Sequence, residues 1–172
     1  MTRRILAPAL VVLAALTVLT GCMKGPTVNT DTNSGTTGER PAITEAVANY
    51  DAMLTEMRDL IAAEVPGGAW SEVKDGQTLG GDVGAAGDDA TIAVSPLWGY
   101  DASFPSDAGA RSDLIASLGA VGEKYGFSEI AVYVDRADEV QAVADDAFGA
   151  EYQVGSKKNS TLSYTTGSHP AD

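Results

Sequence analysis

A single cysteine occurs in the 172 residues, at position 22. A disulfide within the chain is therefore excluded, and whatever folds must be held by packing alone. That cysteine also stands at a boundary. Before it, Arg3 and Arg4 make a basic start and residues 5–19 an almost unbroken apolar run, the charged and hydrophobic regions of an export signal. A membrane-spanning helix takes about 20 apolar residues. The run is shorter than that and contains Pro8, so the expectation is a signal rather than a span. The arginine pair lacks the residues that surround a twin-arginine signal, which favours export in the unfolded state.

Leu19-Thr20-Gly21-Cys22 fills every position of a lipobox and resembles the close of a bacterial lipoprotein signal. The resemblance implies cleavage before Cys22, a thioether-linked diacylglycerol on its sulfur and acylation, with palmitate for example, of the new amino group. One acyl chain holds a protein only marginally, at about 0.8 kcal/mol per buried methylene, whereas two give stable attachment. Residues 23–40 are rich in Thr, Gly, Asn and Ser with almost nothing apolar, so burial cannot offset the entropy of ordering them. As a flexible coil they reach about 20 to 25 Å. The expected organisation is a signal peptide over residues 1–21, a lipidated Cys22 with its tether over 22–40, and one folded domain over 41–172. Its expected place is the outer face of the cell membrane, held there by the N-terminal lipid.

The chain carries 24 acidic and 11 basic residues, a formal charge of −13. No acid precedes residue 31, so loss of Arg3 and Arg4 takes the charge from −13 to −15. Such a body argues against nucleic acid and against polybasic adhesion to anionic lipid.

Beyond Pro41, the residues Ile43, Val47, Tyr50, Leu54, Met57, Ile61 and Val65 recur at steps of three and four. This predicts a helix over 42–64 with one apolar stripe, stopped by Pro66-Gly67-Gly68. Trp70–Lys74 reads as a short strand. The five glycines from Gly76 to Gly87 read as a mobile surface loop: a phosphate-cradling loop needs a strand before it and a helix after it, and this one leads into a strand over 91–95. Residues 96–104 then crowd Leu97, Trp98, Tyr100 and Phe104 into a connection. Asp107 is placed to cap a second helix over 107–125, with Ala110, Leu114, Leu118, Val121 and Tyr125 on one face. Gly126 stands where a left-handed residue ends a helix, and Phe127 just beyond is placed to pack back. Residues 129–135 alternate Ile130, Val132 and Val134 against Ala131 and Tyr133, a half-buried strand. Residues 152–155 and 161–165 flank Lys157-Lys158-Asn159 as a hairpin.

Chemistry-bearing residues are sparse. His169 is the only histidine and reads as a solvated tail residue. Asp31 to Gly35 opens like a calcium loop but lacks the distal bidentate Glu. Asp88-Asp89, Asp138-Glu139 and Asp145-Asp146 read as solvated acid pairs. No nucleophile motif or metal-ligand spacing is present. The expectation is no enzyme, no cofactor and no metal.

Several short segments resemble one family. Val65-Pro66-Gly67 followed by Trp70, Glu123-Lys124-Tyr125-Gly126-Phe127, Gly149 to Gly155, and Asn159 to Gly167 are similar to the LppA-like lipoproteins of actinobacteria, whose function is unassigned. The likeness spans roughly the folded region and implies β structure over 138–144, where Val140, Val143, Ala144 and Ala147 by themselves also fit a helix. Relatives commonly carry two cysteines, one in the middle loop and one in a Thr-Gly-Cys-His-like ending. Here the ending is Thr166-Gly167-Ser168-His169, and the implied disulfide is lost.

The expected fold is α+β, two helices packed on one face of a largely antiparallel sheet of five or six strands. The expected function is that of a non-enzymatic envelope interaction module, its partner an unknown envelope protein or glycan. Trp98 and Tyr100 form its candidate binding surface. The alternatives are a lipid or ligand carrier with an apolar cavity between helices and sheet, and a carboxylate-dependent surface hydrolase. Oligomeric state is not legible.

Overall fold

The computed structural model describes residues 39–82 and 86–172. Its first helix, α1, runs Ile43–Glu64 and buries Ala46, Tyr50, Met53, Leu54, Met57 and Ile61, the predicted stripe widened by Ala46 and Met53. Ala42 offers no side-chain cap. The end of the chain caps the helix instead: the Ile43 N–H donates to the Pro170 carbonyl at 2.9 Å, and Thr44 donates to the Asp172 carboxylate. One of the orphan donors of a first turn is thereby satisfied, and an acid sits at the positive end of the helix dipole.

The second helix, α2, runs Ala108–Lys124, and the Asp107 carboxylate accepts from the Ala110 N–H at 2.9 Å as an N-cap. It ends as the sequence predicts. Gly126 has φ +96°; its N–H bonds the Glu123 carbonyl and the Phe127 N–H bonds that of Gly122, each at 3.1 Å. This is a full Schellman closure, and Phe127 returns to the core at 5% exposure. The buried face of α2 is rotated from the expected stripe: Ala110 is exposed, while Arg111, Ile115, Gly119 and Gly122 are buried.

Eight strands form one antiparallel sheet: β1 Trp70–Lys74, β2 Gln77–Gly80, β3 Thr91–Val94, β4 Leu97–Tyr100, β5 Ala131–Arg136, β6 Glu139–Asp145, β7 Glu151–Ser156 and β8 Ser160–Thr165. The order is β1-β4-β8-β7-β6-β5, with β3 joining β2 to the far end of β8. The α+β class holds, and the strand count of five or six is corrected to eight. β2 lies in what reads as mobile glycine-rich loop, and β4 in what reads as connection. Both are second halves of broken strands: Asp75-Gly76 interrupts β1–β2 and Ser95-Pro96 interrupts β3–β4. Residues 139–145 are strand, as the resemblance implies.

Both helices cover the same face of the sheet. Val140, Ala144, Tyr152, Val154, Leu162 and Tyr164 point into this layer, meeting Tyr50, Met57, Leu118 and Phe127 across it. Ring contacts of 5.2 Å for Tyr50–Phe127, 5.5 Å for Tyr50–Tyr164 and 5.0 Å for Phe127–Tyr152 knit α1, the Schellman closure and two strands together. Polar ties close the layer's margins. Tyr164 donates to Asp51 at 2.8 Å, and buried Arg111 pairs with Asp135 while donating to the Ser106 carbonyl at 3.0 Å.

The chain's end is part of this fold, which corrects the reading of His169 as a solvated tail residue. His169 is 0% exposed and exchanges two backbone hydrogen bonds with Thr91, at 2.8 and 2.9 Å. Its Nδ1 lies 2.9 Å from the Pro41 carbonyl. Next to it, the Ser168 hydroxyl accepts from the Asp82 N–H at 2.7 Å. Where the family resemblance implies a cross-link in relatives, this chain has a hydrogen bond between its ending and its middle loop.

Candidate functional site

Cys22 and the lipobox residues Leu19, Thr20 and Gly21 lie outside the described residues. Trp98 and Tyr100 do not form the expected surface. Because residues 97–100 are strand, alternation sends both side chains to the helix-covered face. Tyr100 is 2% exposed; its hydroxyl donates to the Val65 carbonyl at 2.6 Å and accepts from the Gly68 N–H at 3.2 Å. Tyr100 is therefore core, and its assignment as a surface anchor is corrected. Trp98 is half-buried, its ring lying 4.0 Å from the Arg58 guanidinium carbon.

The ionisable groups serve the fold. Asp146 accepts from the Tyr50 hydroxyl and, through Oδ1, from the Phe148 and Ala150 N–H groups at 2.8 Å each, fixing the β6–β7 turn. Asp145 accepts from Ser128 at 2.8 Å, and Glu139 faces Lys157 and Arg136 at 3.6 and 3.7 Å. The Tyr50 and Tyr164 phenols are pushed above their usual range by burial and by the hydrogen bonds to Asp146 and Asp51, so both stay protonated. Burial holds His169 below its ordinary value, opposed by its contact with Pro41. Among the described residues no three His, Cys, Asp or Glu side chains gather to hold a metal ion.

The surface that stands out is the other face of the sheet, which neither helix covers. A shallow cavity of about 410 Å³ lies on it, lined by Leu97, Tyr133, Gln141, Val143, Gln153, Gly155, Thr161 and Ser163 together with buried strand residues. Register explains the set. Val143, Gln153 and Ser163 stand opposite one another across β6, β7 and β8, and Gln141, Gly155, Thr161 and Gly99 form the adjacent row. The second row holds two glycines, which hollows the middle of the face.

A β-bulge at each margin aims one more side chain over this face. Between Val132 and Val134 the β5–β6 register slips, and the extra residue, Tyr133, stands 73% exposed over the cavity. Between Glu72 and Lys74 the β1–β4 register slips likewise. There Val73, 62% exposed, lies over Gly99, where an added Cβ would meet its methyl at 2.6 Å. Bulges of this kind redirect side chains and end pairing at sheet edges.

No residue lining the cavity is charged, in a chain with 20% charged residues. Lys74 and Glu151 stand only at the margin, Glu151 accepting from the Gln153 amide at 2.7 Å. Among the described residues the Gln141 amide and the Thr161 and Ser163 hydroxyls have no protein partner. Sequence alternation sets Tyr133 against both Val132 and Val134 and does not reveal this face, because the bulge that turns Val134 to stand opposite Gln141 leaves no mark in a periodic pattern.

Comparison with known proteins now bears on the chain. Residues 24–169 match the model of the LppA family, described as a lipoprotein confined to pathogenic Mycobacterium. The chain belongs to the LppA family. Its fold is similar to the crystal structure of the putative lipoprotein LppA from Mycobacterium tuberculosis, with TM-score 0.56 and 15% identity over 75% of this chain and 78% of that one. It is also similar to a DUF4853 family protein from Actinomyces odontolyticus, with TM-score 0.55 and 15% identity over 78% of this chain and 72% of that one. At such identity the likeness speaks for the fold alone. Among curated proteins none matches. Membership makes the chain a lipoprotein-family protein of unassigned function. No helix among the described residues is long and apolar enough to cross a membrane.

Proposed function

We propose that this protein is a lipid-anchored, extracytoplasmic binding module without enzymatic activity, and that the uncovered sheet face is its binding surface. The observation that carries the reading is that face: framed by two bulges, free of charge over its cavity, and furnished with amide and hydroxyl groups that no protein group uses. The lipobox ending at Cys22 supports attachment through lipid at the outer face of the cell membrane. The carrier alternative is disfavoured, because the layer between helices and sheet is occupied by Tyr50, Met57, Leu118, Tyr152 and Leu162, each at most 3% exposed. The hydrolase alternative finds no support in the carboxylates, whose partners tie turns and strands.

Site-specific photo-cross-linking in intact cells tests the surface. A photoreactive residue at Gln153 is expected to trap an envelope component, and one at Ala62 on the exposed side of α1 is not. Equal yields from both positions overturn the assignment of the face. For the anchor, Cys22→Ser is expected to lose incorporation of labelled palmitate, and retained label overturns lipidation at Cys22.

A further inference from the structure

We infer that the uncovered sheet face takes a neutral saccharide chain. The inference deepens the binding-module reading and rests on it. Four observations lead there, beginning with charge. A chain of formal charge −13 repels anionic polymers and attracts cationic ones, yet over this cavity it presents neither sign. An acidic polysaccharide, a phosphorylated ligand or an anionic lipid surface finds no cation there, and a basic peptide finds its carboxylates elsewhere. The face suits an uncharged occupant.

Hydrogen-bonding capacity narrows the class further. Gln141, Gln153, Thr161 and Ser163 are each both donor and acceptor, as every sugar hydroxyl is. A saccharide can match such a surface in either sense, whereas an apolar ligand would leave these groups unpaired at about 1 to 3 kcal/mol each where buried. Aromatic placement is the third observation. Tyr133 projects over the cavity from its bulge, 73% exposed, with a ring face for the C–H side of a pyranose and a hydroxyl at its wet end. Leu97 and Val143, which also line the cavity, are half-buried and supply further apolar patches.

Shape is the fourth. The cavity is shallow, and beside it lies a second depression of about 220 Å³ that shares Gln141, Gly155 and Thr161 with the first and continues to Asn159 at the β7–β8 turn, where the two charges on its wall, Glu139 and Lys157, face each other at 3.6 Å and offset one another. A continuous trough suits a chain of repeating units better than a compact ligand. A second copy of this protein fits poorly: interfaces between identical subunits are about two-thirds apolar at the core, and the exposed large apolar side chains of this face, Tyr133, Val73 and Leu79, stand on its outer strands β5, β1 and β2 rather than over its middle. A protein partner would ordinarily meet Arg, Trp or several aromatics at the centre, and the centre of this face is Gly155 and Thr161.

The test uses the full chain in detergent micelles, run through native gels cast with soluble polysaccharide. Dextran, mannan and galactan are the neutral probes, and polygalacturonate is the charged control. At least one neutral probe is expected to retard the protein at least two-fold relative to a plain gel, with no retardation by polygalacturonate. Tyr133→Ala and Gln153→Ala are expected to lower the retardation at least five-fold. Both residues are exposed, so an unchanged circular-dichroism melt separates lost binding from lost fold. Gln153→Asn, which keeps the amide, should retain part of the retardation. Retardation that is absent with all three neutral probes, equal in polygalacturonate, or indifferent to Tyr133→Ala overturns the inference. Photo-cross-linking from Gln153 separates the two levels of failure. A protein trapped there in the absence of any glycan effect overturns the saccharide and leaves the binding face, and no cross-link at all overturns both.

Discussion

The two faces of one sheet are built from the same strands in strict alternation, and they differ in almost every other respect. The covered face carries Tyr152, Val154, Leu162 and Tyr164, each 0–2% exposed, against a helix layer of Met, Leu and aromatic side chains. The uncovered face carries Gln, Thr, Ser and Gly over its middle, with half-buried Leu97, Val134 and Val143 and, on its outer strands, exposed Val73, Leu79 and Tyr133. On the first, energy comes from apolar area removed from water and from ring contacts; on the second, little is buried and the polar groups keep their capacity. Stability and the recognition we propose are thus separated by one residue of register, and a change on one face should leave the other's property alone.

The largest expected effect comes from the covered face. Leu118→Ala, at 0% exposure, should lower unfolding free energy by about 2 to 5 kcal/mol in urea denaturation, whereas Leu97→Ala on the uncovered face should cost no more than about 1 kcal/mol. Equal costs would break the comparison. A staple should act on both faces alike. A Cβ built at Gly81 lies 2.9 Å from the Ser168 hydroxyl oxygen, close to the Cβ–sulfur separation of a disulfide, and 3.0 Å from the Ala90 and Thr91 backbone, so Gly81→Cys with Ser168→Cys should cross-link under oxidation once that backbone gives by a few tenths of an ångström. Closing a loop of this length is worth about 2 to 4 kcal/mol, read as the difference between oxidised and reduced denaturation curves.

Two glycines sharpen the contrast at smaller scale. An added methyl at Gly122 meets the Tyr152 ring at 2.7 Å, and that ring is buried and cannot yield, so Gly122→Ala should cost about 1 to 3 kcal/mol. At Gly155 the obstruction is the Thr161 hydroxyl at 2.8 Å, a side chain free to rotate; Gly155→Ala should cost less than about 1 kcal/mol. The smallest effect is a slope with pH. Folding lowers the proton affinity of His169 from its ordinary 6.5, chiefly by burial. Below pH 6.5 the unfolded chain binds the proton first, so this contribution is intact above that pH and is lost as pH falls towards the folded value. His169→Gln should flatten the stability profile between pH 7 and 5, measured by denaturation at each pH.

Periodicity made the helices legible, down to the Asp107 cap and the Gly126 closure, because both depend on residues three or four apart. Strands β7 and β8 were legible for a similarly local reason, their alternation, whereas β6 was legible only through the family resemblance, because its spacing also fits a helix. Broken strands were not: Asp75-Gly76 and Ser95-Pro96 carry the chemistry of turns, and only pairing with a distant partner keeps β2 and β4 in the sheet. Tyr100 was misread for that reason, since a residue in a connection has no fixed face and a residue in a strand does. His169 escaped because nothing local distinguishes a tail that pairs with Thr91 from one that hangs free. The framing of the uncovered face depends on two register slips, and register is a property of strand pairs rather than of any one segment.

The polar ties around residues 40–43 have a mechanical meaning. Arg40 donates to the Phe148 and Ser168 carbonyls at 2.7 and 2.6 Å, Pro41 meets His169, and Ile43 meets Pro170. These bonds lie at the point where the N-terminal segment enters the fold. A pull arriving along the chain at residue 40 meets the Arg40 and Pro41 contacts before it reaches the first turn of α1, where Ile43 is held by Pro170. Residues 168–170 therefore serve as a strain relief, holding residues 40–43 so that load arriving from the N-terminal side falls first on these contacts rather than on the start of α1.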